Sequence, residues 1–289
     1  MDPIKVYKTP DAKNPHQLFK ITDMSTVFSA HPTHDDVPHR HDFYTILFIQ
    51  KAEGQHIIDF NTYDLGQRQV FFVSPGQVHQ MLESKPSKGW ALTIRKEFLE
   101  THHIDTSFIS EINLFRDFGD TPPLTLEKEI FHSMEQLILQ MRDCIEKSSR
   151  FHWEAVGAYL KLFLINANNQ CVLPQHNTPH SPAEMILRNF KLLVEKYYKS
   201  EHQVQFYADQ LFISTDHLNR TIDHLIGKKA KQFIQNRILL EAKRLLQYSD
   251  STAKEIGYHL GFKEAAHFSN FFKKMTGVSI SQWIKNQAI

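Results

Sequence analysis

The sequence predicts a multidomain protein in which an all-β barrel with trailing helices precedes an all-α domain that contains two helix-turn-helix motifs. Short strand-like runs punctuated by Gly and Pro end near residue 95, and helical periodicity alone remains from residue 183 onward. The chain length of 289 residues is enough for about two domains, each with its own hydrophobic core.

The charge of the chain is unevenly distributed. The whole chain has a formal net charge of only +1, yet residues 181–289 contain 16 Lys and Arg against 10 Asp and Glu, a net charge of +6. The first 180 residues therefore have a net charge of −5. A basic C-terminal third predicts a polyanionic partner for that part of the chain.

The composition indicates a globular protein, with 41% hydrophobic and 22% charged residues. No apolar run reaches the roughly 18 residues that a membrane span needs, and the first residues lack the apolar stretch of a secretion signal. Cys144 and Cys171 are too few for a disulfide framework or a cysteine zinc site. We therefore expect a cytoplasmic protein with reduced thiols and no membrane association.

The N-terminal domain is predicted to span residues 1–172, with a small barrel or jelly roll at about 25–95. Gly54 separates the first two strand-like runs, and the turn signal Ser74-Pro75-Gly76 closes the third. The predicted strands are 43–49, 56–60, 69–73 and 90–94.

Two amphipathic helices, 126–146 and 151–167, follow within the region 126–170. They either cover the open side of the barrel or form a dimer interface, and the apolar face of Ile130, Leu137 and Met141 is the support for the dimer. Residues 173–182 contain three prolines and no sustained apolar rhythm, which is typical of a linker.

The all-α domain, 183–289, contains one helix-turn-helix pattern at about 204–226. Ala208 is the small residue of a short first helix, and Ser214 is a good N-cap for the second helix. Leu218, Ile222 and Leu225 are spaced to be buried, and Gly227 stands where a left-handed C-cap is needed. A short helix, a tight turn and a polar-faced second helix are typical of DNA-binding proteins.

The pattern recurs at about 252–276. Gly257 takes the position of Ala208, Gly261-Phe262 forms the turn, and Gly277 closes the second helix. Ser214 aligns with Lys263, although the apolar positions then match only approximately. A helix over 232–248 joins the copies and is about 25 Å long at about 1.5 Å per residue, which suits recognition helices in successive major-groove turns about 34 Å apart.

Residues 183–289 resemble the DNA-binding domain of AraC-type (AraC/XylS) regulators. The matching residues in the first motif and the joining helix are Ala208, Leu211, Ile213-Ser214, His217-Leu218, Arg220, Gly227, Arg237-Ile238, Ala242 and Leu245-Leu246. Those in the second motif are Glu255-Ile256-Gly257, Gly261-Phe262, His267-Phe268-Ser269, Phe271-Phe272-Lys273-Lys274, Thr276-Gly277 and Ser279.

The resemblance implies which residues contact DNA. The base-reading residues would be Thr215, Asp216, Asn219 and Arg220 in the first motif and Ala266, His267 and Asn270 in the second. The backbone contacts would be Ser214, Lys263, Lys273 and Lys274. The sequence departs from the family at Ile280, where Pro is frequent, at Ile284, where Arg is frequent, and at Asn270. Arg is common at position 270, whereas Asn pairs more naturally with adenine than with guanine.

Residues 30–95 resemble the small cupin-like barrel that precedes this domain in many AraC-type regulators. In a cupin barrel, an HxH pair such as His39 and His41 converges with a later His such as His79 on a metal. A metal-binding cupin usually adds Glu four or five residues after the pair, where this chain has Thr45 and Ile46. We therefore expect no metal, no cofactor and no catalysis, and expect His39, His41, Tyr44 and His79 to contact an effector.

Together these features predict a ligand-responsive, sequence-specific DNA-binding transcription regulator, an activator by its family, that acts as a homodimer. The expected partners are double-stranded DNA and a small-molecule effector, with RNA polymerase as a further partner that the resemblance allows. The alternative is a cupin metalloenzyme with a helical accessory domain. The effector and the operator stay open, and the residues themselves do not decide the direction of regulation, for which activation is only what the resemblance implies.

Overall fold

The computed structural model describes residues 5–7, 18–26, 36–112, 114–115, 122–171 and 182–287. The chain divides into two compact units, with the division between Gln175 and His176. Residues 173–181 of the predicted linker lie outside the described residues. Among the described residues, no helix combines the length and the apolar character that a membrane crossing requires.

The N-terminal unit is built on one sheet, in which the described residues form seven strands. The strands are β1 (Lys5–Tyr7), β2 (Phe19–Asp23), β3 (His39–His41), β4 (Tyr44–Ile58), β5 (Asn61–Val73), β6 (Val78–Ile94) and β7 (Leu124–Thr125). Their order is β1-β3-β6-β4-β5-β7, and β2 also pairs with β6. Pairing is antiparallel except between β1 and β3, so β4, β5 and β6 form a meander of long strands.

The two runs predicted as separate strands, 43–49 and 56–60, form one long strand, β4. Gly54 does not end a strand but lies at a register shift against both neighbouring strands. Its φ of +132° and its approach to the backbone of Leu82 leave no room for a Cβ atom. Gly89 has φ of +146° and meets the backbone of Phe48 in the same way. Such bulges bend and twist long strands.

Both faces of the sheet are buried, which explains the nearly continuous apolar runs. Ile46 and Phe48 on β4 face one core, together with Val70 and Phe72 on β5. The alternate residues, among them Leu47 and Phe71, belong to a second core on the opposite face. Successive side chains of a strand point to opposite faces, so a strand buried on both sides loses the usual polar alternation.

The helices of this unit pack on the first of these two faces. They are α1 (Lys96–Thr101), α2 (Thr106–Glu111), α3 (Lys128–Lys147) and α4 (His152–Asn169). Met141 on α3 is fully buried in the same core as Phe48, and the half-buried Ile130 and Leu137 pack against that core. Of the two alternatives, the helices therefore cover the sheet. Met141 is therefore not available to a second chain, Ile130 and Leu137 stay half-buried, and the dimer remains a prediction.

The C-terminal unit is helical throughout its described residues. Its helices are α5 (Pro182–Tyr197), α6 (Val204–Gln210), α7 (Thr215–Ile226), α8 (Ala230–Tyr248), α9 (Ala253–His259), α10 (Ala265–Thr276) and α11 (Ile280–Gln287). Both predicted motifs are present, as α6 with α7 and α9 with α10. The 19 residues of α8 correspond to about 28 Å of helix at about 1.5 Å per residue.

Buried ion pairs tie the joining helix α8 to α5. The Arg237 guanidinium donates from Nε to both carboxylate oxygens of Glu195, at 2.8 and 3.0 Å, and lies 3.9 Å from the Tyr198 ring centroid. Glu241 accepts from both Arg237 and Arg244 at 3.4 Å. Because removing one partner would leave a buried charge uncompensated, this network holds the joining helix in one position.

Candidate DNA interface and histidine cluster

The first motif has the caps that its sequence predicts. The Ser214 hydroxyl accepts a hydrogen bond from the backbone N–H of His217 at 3.1 Å, which begins α7. Gly227 ends the helix with φ of +65°, and its N–H donates to the Asp223 carbonyl. Leu218 and Ile222 are fully buried, as predicted. The opposite side of α7 is therefore available for a ligand.

The first helix of the second motif, α9, has a stronger N-cap than the sequence analysis predicted. Thr252 and Glu255 form a complete capping box at the start of α9, in which each side chain bonds the backbone of the other. Gly277 ends α10 with φ of +81°. A Cβ at Gly257 would lie only 3.0 Å from the Phe268 side chain, so a small residue is needed where the two helices cross.

The two motifs differ by one residue in the turn. The short helices correspond at a separation of 49 residues, since Leu211 and Leu260 are both C-caps. The longer helices correspond at 50 residues, since Ser214 and Glu264 are the N-caps and Gly227 and Gly277 the C-caps. The alignment of Ser214 with Lys263 is therefore wrong. Lys263 lies in the longer turn, and the buried Leu218 corresponds to Phe268.

This correspondence places the predicted base-reading residues at matching positions of α7 and α10. Exposed Asp216 and Arg220 correspond to exposed Ala266 and Asn270, and half-buried Thr215 corresponds to Ala265. The roles assigned to these residues stay predictions. His217 was missed, although it is exposed and corresponds to His267. The 50-residue repeat of an exposed His could have identified it.

Asn219 takes part in packing within the unit. Its side-chain oxygen accepts a hydrogen bond from the backbone N–H of Ala230 at 3.3 Å, at the first residue of α8. One of the four free N–H groups at the start of α8 is thereby satisfied. Asn219 is thus half-buried and holds α7 to α8, which leaves the neighbouring Arg220 as the more accessible side chain.

The residues assigned to the DNA backbone surround these positions. Lys263, Lys273 and Lys274 are exposed, while the Ser214 hydroxyl is engaged in capping α7. Lys273 and Lys274 lie in the last turn of α10, where a positive charge also favours the helix dipole. The second motif thus presents three Lys side chains beside a mostly neutral reading surface.

The three histidines singled out in the N-terminal unit come together. His39 and His79 are paired across β3 and β6, and their ring centroids are 4.4 Å apart. His39 Nε2 and His41 Nε2 are separated by 3.1 Å. One ligand nitrogen from each of His39, His41 and His79 lies within 4.8 Å of the other two. His79, 40 positions after His39 in the sequence, therefore joins His39 and His41 in one imidazole cluster.

A fourth histidine, His56 on β4, was missed by the sequence analysis. It is fully buried, and its Nε2 lies 3.0 Å from His79 Nδ1. Desolvation by burial lowers the pKa of His41 and of His56 to about 3 and holds the pKa of His79 well below its usual value. These three rings are therefore neutral at physiological pH, with a lone pair on one nitrogen of each.

Tyr44 does not join the cluster, contrary to the sequence-based assignment. Its ring packs against Phe115, with centroids 4.8 Å apart, in the core beneath the helices. The preceding residue, Phe43, is the one on the histidine side, with its ring centroid 4.4 Å from that of His41. Successive side chains of a strand point to opposite faces of the sheet. An assignment that is wrong by one residue therefore places Tyr44 on the wrong face.

Comparison with known proteins agrees with both units. A family model of the helix-turn-helix domain matches residues 207–286, and a model of the AraC-like ligand-binding domain matches residues 23–164. The chain belongs to the AraC family of transcription regulators. This confirms the predicted family and the order of a sheet-rich ligand-binding domain followed by a helical DNA-binding domain.

Several curated relatives resemble this AraC-type regulator over most of their length. The HTH-type transcriptional activator RhaS of Pectobacterium carotovorum is 25% identical over 240 residues, which cover 82% of this chain and 83% of RhaS. The uncharacterized HTH-type transcriptional regulator YfiF of Bacillus subtilis is 23% identical over 251 residues, 83% of this chain and 76% of YfiF. Among solved structures, ToxT from Vibrio cholerae is 14% identical with a TM-score of 0.41, covering 92% of this chain and 97% of ToxT.

Proposed function

We propose that this AraC-family regulator binds double-stranded DNA sequence-specifically through α7 and α10, and that an effector bound by the N-terminal unit modulates its activity. The observation that carries the DNA-binding proposal is the 50-residue repeat. Two helices with the same Gly C-cap and two matching buried positions present the corresponding exposed pairs Asp216/Ala266 and Arg220/Asn270. A helix that presents polar side chains from its first two turns is suited to the major groove.

Charge and length support the same proposal. The net charge of +6 on residues 181–289 favours a polyanion. Arg220 can make a bidentate contact with guanine, Asn270 favours adenine, and Asp216 can accept a hydrogen bond from the cytosine amino group. The joining helix of about 28 Å suits recognition helices in major-groove turns about 34 Å apart.

The effector is proposed to bind at His39, His41 and His79. Buried imidazoles provide directional polar contacts within an otherwise apolar interior, as small-molecule sites generally do. Regulation requires that the effector bind one state of the protein better than the other. Since the relatives named above are transcription regulators, we propose no catalytic role for this site.

The protein is further proposed to act in the cytoplasm as a homodimer that activates transcription together with RNA polymerase. RhaS, a relative over most of the chain, is named a transcriptional activator. A surface for the dimer is available on α4, where Leu162 and Ile165 are 45% and 39% exposed on adjacent turns. This surface is a second candidate beside the face of α3 for which the sequence analysis gave the dimer as one of two uses.

The proposal is tested by selecting binding sites for the full chain from a random oligonucleotide pool. The enriched site is then titrated with the wild type and with Arg220→Ala. We expect Arg220→Ala to weaken specific binding by about 1–3 kcal/mol and to relax the preference at one base position. Arg150→Ala, which removes an exposed Arg from the N-terminal unit, is the matched control and should bind like the wild type.

Two results would refute the proposal. One is a pool from which the folded protein enriches no sequence. The other is Arg220→Ala binding that equals the wild type in affinity and base preference, because the first motif would then not read DNA through α7.

A further inference from the structure

We infer that His39, His41 and His79 form a binding site for one divalent transition-metal ion inside the N-terminal unit. The inference deepens the effector site of the proposed function, because it specifies what the histidine cluster binds. The expectation of no metal rested on Thr45 and Ile46 standing where a carboxylate ligand is usual. The geometry of the three imidazoles supports a site without that carboxylate.

The spacing of the donor atoms fits a small cation. Zinc–nitrogen bonds of about 2.0–2.1 Å in a tetrahedral arrangement place two donors roughly 3.3 Å apart. His39 Nε2 and His41 Nε2 are 3.1 Å apart, and the three donors all lie within 4.8 Å of one another. The upper limit of 4.8 Å exceeds that spacing, so a bound ion would draw the three donors closer together. Two strands, β3 and β6, hold these residues, so the backbone is already in place.

The hydrogen bonds of His39 select the tautomer that a metal needs. Its Nδ1 lies 2.8 Å from the Val37 carbonyl oxygen and 3.2 Å from a carboxylate oxygen of Asp36. Both neighbours only accept, so the ring proton resides on Nδ1 and the Nε2 lone pair is directed toward His41. Metal-binding histidines are typically oriented by such a carbonyl or carboxylate on the other nitrogen. Asp36 is itself fixed by the Met81 N–H, which donates at 3.0 Å.

His79 offers a buried nitrogen to the same space. Its Nδ1 is 3.0 Å from His56 Nε2, whereas its Nε2 is buried without a hydrogen-bond partner among the residues that the structure describes. A buried polar atom left unsatisfied destabilises the folded protein. Coordination through Nε2 would remove that cost and would place the proton on Nδ1, which then donates to His56. His56 is therefore a positioning residue for His79.

The donor set defines the class of ion. Three imidazoles without thiolate suit Zn²⁺, Cu²⁺, Ni²⁺ or Fe²⁺ and disfavour Mg²⁺ and Ca²⁺, which take oxygen ligands. Three protein ligands also leave at least one coordination position open. A small anionic or carbonyl-containing molecule could occupy that position, so the site would accept a metal alone or a metal with a bound ligand.

The experiment measures metal binding by the full chain without a polyhistidine tag. Protein stripped with a chelator is titrated with Zn²⁺ by calorimetry, and with Co²⁺ as a spectroscopic probe of coordination geometry. The variants are His41→Gln, which removes a ligand, and His56→Gln, which removes the positioning residue. His132→Gln, an exposed histidine on α3, is the matched control. Thermal unfolding of each metal-free variant shows that it is folded.

We expect one Zn²⁺ per chain for the wild type and for His132→Gln, and a Co²⁺ spectrum of low coordination number. Loss of an orienting partner typically lowers metal affinity by about 10–100-fold, which is expected for His56→Gln, and His41→Gln should lose more. The inference is overturned if folded His41→Gln binds Zn²⁺ as tightly as the wild type, or if the wild type binds none. DNA binding by the metal-free protein is measured separately, so either proposal can fail alone.

Discussion

Replacing Gly261 by Ala tests whether the turn of the second motif depends on one backbone conformation. Gly261 has φ of +81°, and a Cβ atom there would lie closer than 3.0 Å to the Lys199 carbonyl oxygen and 3.1 Å from its carbonyl carbon. Phe212 occupies the corresponding position of the first motif with φ of +55° and is 95% exposed. A side chain is therefore tolerated in the first turn and excluded from the second.

The expected magnitude has two parts, which a second variant separates. Gly277 also has φ of +81°, but a Cβ there would meet no atom within 4 Å. Gly277→Ala should thus cost only the left-handed conformation of an L-residue, about 1–2 kcal/mol. Gly261→Ala adds an overlap with backbone that cannot rotate away, for which strain of about 1–3 kcal/mol is typical. We expect a total of about 2–5 kcal/mol of lost stability for Gly261→Ala.

The assay is urea unfolding of the full chain, followed by the fluorescence of Trp283. This buried side chain, whose ring centroid lies 5.8 Å from that of Phe272, reports on the C-terminal unit. The other two tryptophans, Trp90 and Trp153, belong to the N-terminal unit and are replaced by Phe in the background protein. Losses of this size are a large share of the 5–15 kcal/mol typical of a domain.

The comparison between Gly261→Ala and Gly277→Ala shows whether the close approach to Lys199 constrains the turn. If Gly261→Ala destabilises the C-terminal unit no more than Gly277→Ala does, the close approach to Lys199 does not constrain the turn, and the reasoning is refuted. If it destabilises more and also weakens DNA binding at low urea, the packing of this turn positions α10 as described.

Two further predictions concern charge. Lys273→Ala should weaken binding to all DNA sequences alike. If the side chain neutralises one phosphate, the slope of log affinity against log salt concentration should become less steep by about 0.9. An unchanged slope would contradict the predicted backbone contact. Burial lowers the pKa of His202, although its hydrogen bond to the Leu260 carbonyl opposes the shift. The folded ring therefore gains its proton at a lower pH than the unfolded ring, which gains one below about pH 6.5. Stability is then lost as the pH falls through that value. His202→Gln should flatten the decline of Trp283-monitored stability between about pH 7 and 5, and an unaltered decline would exclude this source.

The fold of the C-terminal unit was largely predictable because its signals are local. Ser214 caps the helix that follows it, and Gly227 and Gly277 end their helices with positive φ. Each depends on residues within one or two turns, so the pattern along the chain contains the information. The extra residue in the second turn was not predictable, because Lys263 and Glu264 are both polar and neither is a preferred N-cap.

The histidine cluster was only partly predictable. The spacing of His39 and His41 on one strand places both on one face, but the run 43–49 is buried on both faces and does not show which residues share that face. Tyr44 was therefore assigned to the wrong side. His56 is isolated in sequence, and its partner His79 lies 23 residues away on another strand. Long-range register, which no local pattern encodes, decides both cases.

The contacts inside the C-terminal unit bear on how DNA would be bound. Asn219 links α7 to the start of α8, and Arg237 ties α8 to Glu195 of α5. On the other side, His202 bonds the Leu260 carbonyl at the turn of the second motif, next to Gly261. Side chains of the unit itself therefore hold α7 and the turn that precedes α10. If α7 and α10 bind DNA as proposed, these contacts would reduce the conformational entropy lost in aligning the two helices, and more of the contact energy of Arg220 and its neighbours would remain as affinity.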